Sequence, residues 1–278
     1  MPHLDHAGAS LFYTLEGPDS APVLIFSNAL GTDHTMWAPQ AEALRGQFRI
    51  LRYDTRGHGR STLPPGPFTV AGLGGDVLAL MDALGIREAA FCGLSMGGLT
   101  GMWLGVNAPR RFTRLVLANT AARISTAASW NTRIDGALRG GMAPLVAASV
   151  QRWFTPAFAS AAGAGLDGLR AVLAGLDARG YAANCAALRD ADLREAVGAI
   201  PVPVLVIAGS ADLSTPPAAG RALADAIPGA RYVELEAAHL SSFEQPARFT
   251  DALRDFLGAE ASPRGDAGRR QESVSVSG

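Results

Sequence analysis

Short apolar runs recur along the chain, at 23–27, 48–53, 89–93, 114–118, 204–208 and 231–235. Runs of this length, closed off by turn-forming residues, predict buried strands. Between most of them lie stretches of helical length, for example 70–84 and 215–226. Strands alternating with helices predict an α/β architecture: a mainly parallel, doubly wound sheet with helices on both faces. The opening segment 9–16 reads as an antiparallel edge strand.

The alternation stops between 121 and 198. That stretch is rich in Ala, Leu and Arg, contains Pro144 and Pro156, and has no strand-like run. It predicts several helices inserted between two sheet strands, and an insertion at the carboxyl edge of such a sheet covers the crevice where ligands bind. We therefore expect a lid, with a purely stabilising excursion as the alternative. Pro201-Val202-Pro203 then restarts the sheet, because proline is tolerated where a strand begins. The expected organisation is a core over 1–120, a helical lid over 121–198, the rest of the core over 199–258, and a disordered Gly-, Ser-, Arg- and Glu-rich tail over 259–278.

Composition narrows the partners. The 278 residues carry a net charge of −1, with no block of like charges, so neither nucleic acid nor an anionic membrane is an expected partner. There is no signal-peptide pattern and no apolar run of membrane-spanning length, which predicts a cytoplasmic protein. All 24 basic residues are arginine, so a lysine base or Schiff base is excluded and any cationic substrate contact falls to arginine, histidine or a backbone dipole. Cys92 and Cys185 lie far apart, outside any metal-ligand spacing, and suit a reduced compartment. No cofactor or metal is expected.

The chemistry is concentrated at Gly93-Leu94-Ser95-Met96-Gly97, which follows one of the apolar runs and precedes a helix-capable segment. Gly-x-Ser-x-Gly between strand and helix is the nucleophile elbow, a strained turn that lifts the serine hydroxyl above the sheet. A serine nucleophile needs a base, and the base needs a group to orient it. Where this elbow is used the chain order is serine, acid, histidine. His239 is the only histidine after Ser95, and it follows the apolar run 231–235. Asp212, just beyond 203–209, is the strongest acid candidate. Glu236 competes but is only three residues from the base, and Asp54 precedes the serine. Asp54 and His58, in Tyr53-Asp54-Thr55-Arg56-Gly57-His58-Gly59, read as braces for a loop. The oxyanion hole is expected from two backbone N–H groups, those of Met96 and of Leu30, each contributing about 3–4 kcal/mol to transition-state stabilisation.

Four stretches together resemble a known family: Ser27-Asn28-Ala29-Leu30-Gly31-Thr32-Asp33 with Met36-Trp37, the 53–59 run, Gly93 to Gly98, and Ala238-His239-Leu240-Ser241. They resemble the 3-oxoadipate enol-lactonases, α/β hydrolases of the β-ketoadipate pathway, from about residue 11 to 257. The elbow and the Arg56-Gly57-His58-Gly59-Arg60-Ser61 run occur throughout α/β hydrolases, whereas 27–31 discriminates. Ala29 stands where the family usually carries serine, a change that leaves a backbone donor undisturbed. The resemblance implies an α/β-hydrolase fold, a triad of Ser95, Asp212 and His239, and a small five-membered enol-lactone bearing a carboxymethyl group as substrate. Arg133 and Arg152 are the candidates for its carboxylate, and Trp130 and Trp153 for the pocket wall. Other serine hydrolases of the same fold, a broad carboxylesterase or a cofactor-free haloperoxidase/perhydrolase, are the nearest alternatives. A non-catalytic ligand-binding member of the fold is a more distant one.

Overall fold

The computed structural model describes residues 2–258; the tail read as disordered lies outside them. The strands are β1 (His3–His6), β2 (Ala9–Glu16), β3 (Val23–Ser27), β4 (Arg49–Tyr53), β5 (Ala89–Leu94), β6 (Phe112–Ala118), β7 (Val204–Gly209) and β8 (Arg231–Leu235). They form one sheet in the order β1-β2-β4-β3-β5-β6-β7-β8. Pairing is antiparallel through β1, β2 and β4 and parallel from β4 to β8.

The six runs picked out by hydrophobicity are the six strands β3 to β8, two of them with the same bounds. β5 and β7 are buried at every position. Segment 9–16 is antiparallel, as expected, but it is not the edge: β1 pairs with it, His3 opposite Phe12. β1 escaped notice because His3-Leu4-Asp5-His6 is short and mostly polar, alternating between exposed and half-buried positions.

Before the insertion come α1 (Ala38–Leu44), α2 (Val70–Ala83) and α3 (Met96–Asn107). Between β6 and β7 lie α4 (Ala127–Gly140), α5 (Ala143–Trp153), α6 (Pro156–Ala162), α7 (Asp167–Ala174) and α8 (Ala178–Asp190). α9 (Pro217–Ala226), α10 (Ser241–Glu244) and α11 (Pro246–Gly258) follow among the described residues. Several helices start on side-chain caps. Thr69 accepts from the Gly72 N–H, Thr126 from Ser129 and Thr155 from Phe158, each such cap contributing about 1 kcal/mol. Among the insertion helices, α4 packs on α8 and α5 on α7.

The sheet is welded to its helices by large rings. Trp37 stacks on Phe26 of β3 at 4.6 Å and meets Phe249 of α11 at 6.0 Å. Phe91 of β5 meets Phe112 of β6 edge-on at 5.9 Å. Burying each such side chain contributes about 1.5–3 kcal/mol. Cys92 and Cys185 are both free and buried. Among the described residues no helix is long and apolar enough to cross a membrane.

This winding determines where chemistry collects. The parallel strands share a carboxyl edge, and the segments leaving β3, β5, β6, β7 and β8 there carry residues 28–32, Ser95, Asn119, Asp212 and His239.

Candidate active site

β5 ends at Leu94 and α3 begins at Met96, so Ser95 is the whole turn. Its backbone sits at φ 57°, ψ −109°, a conformation that costs a non-glycine residue about 1–3 kcal/mol. Ties on each side hold it there. The Ser95 N–H donates to Ala118 O at 2.9 Å, and the Ser95 carbonyl accepts from Thr120 Oγ1 at 2.9 Å and from the Leu99 N–H at 3.1 Å. The elbow glycines are steric necessities: a Cβ on Gly93 would lie 2.1 Å from Gly97 O, and one on Gly97 would lie 2.2 Å from Ser27 O.

Asp212 is buried in a ring of donors. Its Oδ1 accepts the backbone N–H groups of Ser214 at 2.8 Å and Thr215 at 2.9 Å. Its Oδ2 accepts Thr215 Oγ1 at 2.7 Å and Asn119 Nδ2 at 3.0 Å, and lies 2.8 Å from His239 Nδ1. Burial alone favours the neutral acid, but the charge and N–H of His239, with the bonds from Thr215 and Asn119, outweigh it and bring the carboxyl down to about 2. An ionised Asp212 keeps the His239 proton on Nδ1 and leaves Nε2 as the basic nitrogen. Glu236, the competing acid, is exposed.

Asn119 and Thr215 were not singled out from sequence. Asn119 leaves β6 with φ 44°, donates to Ala238 O at 3.1 Å as well as to Asp212, and accepts from Ser241 Oγ at 2.5 Å. It therefore joins the acid's turn to the base's loop. A polar residue directly at a strand exit was the one available signal. Glu244 ties that loop to the insertion: it accepts the Ala238 N–H at 2.9 Å and the Thr155 hydroxyl, while the Leu240 N–H donates to Trp153 O at 3.0 Å.

Ser95 and His239 face one cavity of about 290 Å³, whose wall also includes Leu30, Trp130, Arg133, Arg152, Trp153 and Tyr181. All but two of the site residues expected from sequence lie on this wall; Asp212 stands behind His239, and Met96 directly follows the serine. Ser95 Oγ makes no hydrogen bond among the described residues, and a nucleophile–base contact of this kind tightens when substrate is bound. The N–H groups of Leu30 and Met96 have no acceptor among the described residues, whereas their neighbours are committed, Gly31 N–H to His58 Nε2 at 3.0 Å and Gly97 N–H to Asn28 O at 3.1 Å. Two unused backbone donors beside a strained serine are what an oxyanion requires.

The cavity is strongly cationic. Among the described residues no Asp or Glu lines it, and neither Arg133 nor Arg152 has an ion-pair partner. Arg133 sits over the Trp130 ring at 5.1 Å, and Arg152 reaches Ser149 Oγ at 3.4 Å. Burial first, and the charge of Arg133 second, lower the pKa of Arg152. Burial pushes the Tyr181 hydroxyl up to about 12. Trp130 donates its indole N–H to Ile124 O at 2.7 Å, so this ring both packs the insertion and walls the pocket. Tyr181 joins the wall from a stretch of the insertion that takes part in the family resemblance, and Ser125, Ser129 and Ser149 join it from positions without a sequence signal.

Asp33, His34 and Asp54 bring donor atoms within 4.8 Å of one another, the one such group among the described residues that could hold a metal ion. Its lone pairs are engaged: Asp54 Oδ1 accepts the His34 N–H at 2.8 Å and faces His34 Nδ1 at 2.8 Å, and Asp33 Oδ1 caps Thr35 at 2.9 Å. None of the three lines the catalytic cavity.

A serine on an elbow after β5, an acid after β7 and a histidine after β8, beneath inserted helices, define a hydrolase of the α/β class. The chain belongs to the alpha/beta hydrolase fold family, whose sequence signature matches residues 22–246. It is 43% identical over 250 residues to 3-oxoadipate enol-lactonase 1 of Acinetobacter baylyi, covering 90% of this chain and 94% of that one. Among solved structures it superposes on the enol-lactonase from Burkholderia xenovorans LB400 with a TM-score of 0.91 and 49% identity, over 92% of this chain and all of the other. A thermophilic esterase from Thermogutta terrifontis is similar at 27% identity and a TM-score of 0.85, over 91% of this chain and 95% of that one.

Proposed function

We propose that this chain hydrolyses 3-oxoadipate enol-lactone to 3-oxoadipate in the β-ketoadipate pathway, using Ser95 as nucleophile, His239 as base and Asp212 as the group that orients it. The observation that carries the reading is the cavity itself: a serine, a histidine and two guanidinium groups in one small enclosure, with neither an ion-pair partner for them nor an acid on the wall among the described residues. Similarity to the Acinetobacter enol-lactonase along 90% of the chain supports the same substrate.

In the first half-reaction His239 Nε2 takes the proton of Ser95 as Oγ bonds to the lactone carbonyl carbon. The carbonyl electrons move to the oxygen, which the Leu30 and Met96 N–H groups hold. Asp212 remains ionised and stabilises the imidazolium. Collapse re-forms the carbonyl and breaks the ring C–O bond; the ring oxygen leaves with its electron pair and takes the proton from His239 as an enol. An enol leaves more readily than an ordinary alcohol, and it then ketonises to the 3-oxo form. His239 next removes a proton from water, which attacks the serine ester and releases the acid, and Ser95 recovers its proton.

Arg133 and Arg152 bind the carboxymethyl group, each charged hydrogen bond contributing about 1.5–3 kcal/mol. Trp130 and Trp153 exclude water, and residues 121–198 act as the lid above them. The reading includes a cytoplasmic location, where free thiols persist. The test is hydrolysis of freshly generated lactone, followed by its ultraviolet absorbance, for wild type beside Ser95→Ala. Fast turnover abolished by the substitution is expected. No lactone turnover alongside brisk hydrolysis of simple esters would keep the triad and remove the substrate.

A further inference from the structure

The loop that offers the Leu30 N–H is held mainly on its amino-terminal side and across its own turn. Asn28 Nδ2 donates to Tyr53 O at 2.7 Å, the Ala29 carbonyl accepts from the Thr32 N–H at 3.2 Å and from Thr32 Oγ1 at 2.8 Å, and the Ala29 N–H points at Met36 Sδ at 3.4 Å. All of these act on the amino-terminal side of Leu30 or across the turn. On its carboxyl side the peptide between Leu30 and Gly31 has one anchor among the described residues, the bond from the Gly31 N–H to His58 Nε2 at 3.0 Å. Gly31 has φ +87°, so the residue that needs this anchor is also the one with the freest backbone.

His58 is buried, 1% exposed, and its other nitrogen is engaged from below. Nδ1 lies 3.3 Å from Asn184 Nδ2, beside the Arg56 backbone carbonyl. Asn184 of α8 donates its amide to that same carbonyl at 2.9 Å and to Gly180 O at 3.0 Å. Arg56 itself is pinned by Asp76, and Gly57 and Gly180 are in backbone contact. The ring therefore links helix α8 to the oxyanion loop, and the Gly31 N–H, by donating to Nε2, places the proton of the neutral ring on Nδ1.

We propose that His58, which touches no substrate, is a positioning residue for the reaction: through the Gly31 N–H it fixes the peptide that follows Leu30, and so aims the Leu30 N–H at the developing oxyanion. The proposal rests on Leu30 being an oxyanion donor, as argued above. His58 must be neutral to do this, because a second proton on Nε2 would confront the Gly31 N–H donor to donor. Burial holds its pKa down to about 4, which keeps the accepting form across the neutral range. Without the acceptor, the Gly31 N–H is a buried donor lacking a partner, and the Leu30–Gly31 peptide relieves this by rotating.

The test compares His58→Phe, which keeps a flat ring and removes the acceptor, with His58→Gln, whose carbonyl oxygen reaches toward the former Nε2 position. Both are assayed on the lactone and on a p-nitrophenyl ester, so that a wrong substrate assignment leaves the result readable; absence of activity in wild type on both would count against the hydrolase reading instead. The expected result for Phe is a fall in kcat of about 10- to 100-fold with KM nearly unchanged. A boronic acid, which forms a tetrahedral adduct on Ser95, loses affinity by the same factor, while a non-reactive product carboxylate binds as before. Gln recovers at least a third of the lost kcat. Wild-type kcat in a folded Phe variant, equal losses for boronate and product, or a Gln variant no better than Phe overturns the proposal. Should the Phe variant not fold, 15N spectra of the wild-type imidazoles decide: a His58 proton on Nδ1 with Nε2 accepting supports it, and a proton on Nε2 overturns it.

Discussion

Replacing Asp212 by Asn tests the orientation of the base with little change of shape. Oδ1 receives two backbone N–H groups, from Ser214 and Thr215, which cannot turn away. The asparagine oxygen must therefore occupy that side, and its NH2 takes the place of Oδ2. There it meets His239 Nδ1, the Thr215 hydroxyl and Asn119 Nδ2. The hydroxyl can rotate and accept. Asn119 cannot flip, because its amide also donates to Ala238 O and its oxygen accepts from Ser241. A donor–donor confrontation there costs about 1–3 kcal/mol of stability. His239 answers by moving its proton to Nε2, the atom that must receive the Ser95 proton, and it loses the anion that stabilises the imidazolium. The two losses predict a kcat about 10⁴-fold below wild type, or roughly 5 kcal/mol of barrier. The assay is lactone hydrolysis near neutral pH, with a denaturant melt and 15N imidazole spectra on the same samples. A folded Asp212→Asn protein within tenfold of wild-type kcat, or one still carrying its proton on Nδ1, refutes this account of the base.

Arg133→Ala and Arg152→Ala should each raise KM for the lactone about 10- to 100-fold, the equivalent of one charged hydrogen bond, while leaving a neutral ester within about threefold. Equal effects on both substrates remove the carboxylate role. Gly97→Ala brings a Cβ to 2.2 Å from Ser27 O, which predicts a loss of more than about 3 kcal/mol and a melting temperature lower by many degrees, and an unshifted melt contradicts the packing argument. In acid, the carboxyl of Asp212 titrates near 2 in the folded protein against 3.8 in its ordinary state. Its contribution is therefore complete above the higher value and fades as pH falls toward the lower one. Denaturant melts from about pH 5 to about pH 2.5 should show wild type losing more stability than Asp212→Asn; parallel losses would show that another group dominates.

Residues buried on both sides of a sheet announce themselves, which is why β3 through β8 are legible as apolar runs while β1, with two histidines and an aspartate, is not. The helix expected from 215 begins at Pro217 because Thr215 is spent on Asp212, which it meets with both its N–H and its hydroxyl. Ser95, Asp212 and His239 could be proposed as a set because strand order and chain order constrain them together, and the structure puts Asp212 2.8 Å from His239 Nδ1 with Ser95 and His239 on one cavity. The arginines were named because lysine is absent. Asn119, Thr215 and Glu244 stayed hidden: each is a single polar residue whose meaning comes from partners up to 122 positions away, as for Ser241 on Asn119. The pocket wall depends on how α4, α5 and α8 settle against one another, and no local pattern specifies that arrangement.

The clamp around Glu244 has a mechanical consequence. Its carboxylate holds Thr155 of the roof and Ala238 beside the base at once, and the Leu240 N–H grips Trp153. Lifting the roof at this corner would therefore pull the imidazole off its carboxylate, so a gate hinged here would disarm the enzyme each time it opened. Leu213 also lines the cavity and is 74% exposed, so the enclosure meets solvent beside that residue. Exchange through the Leu213 side would leave the Glu244 clamp, and with it the seat of the imidazole, undisturbed.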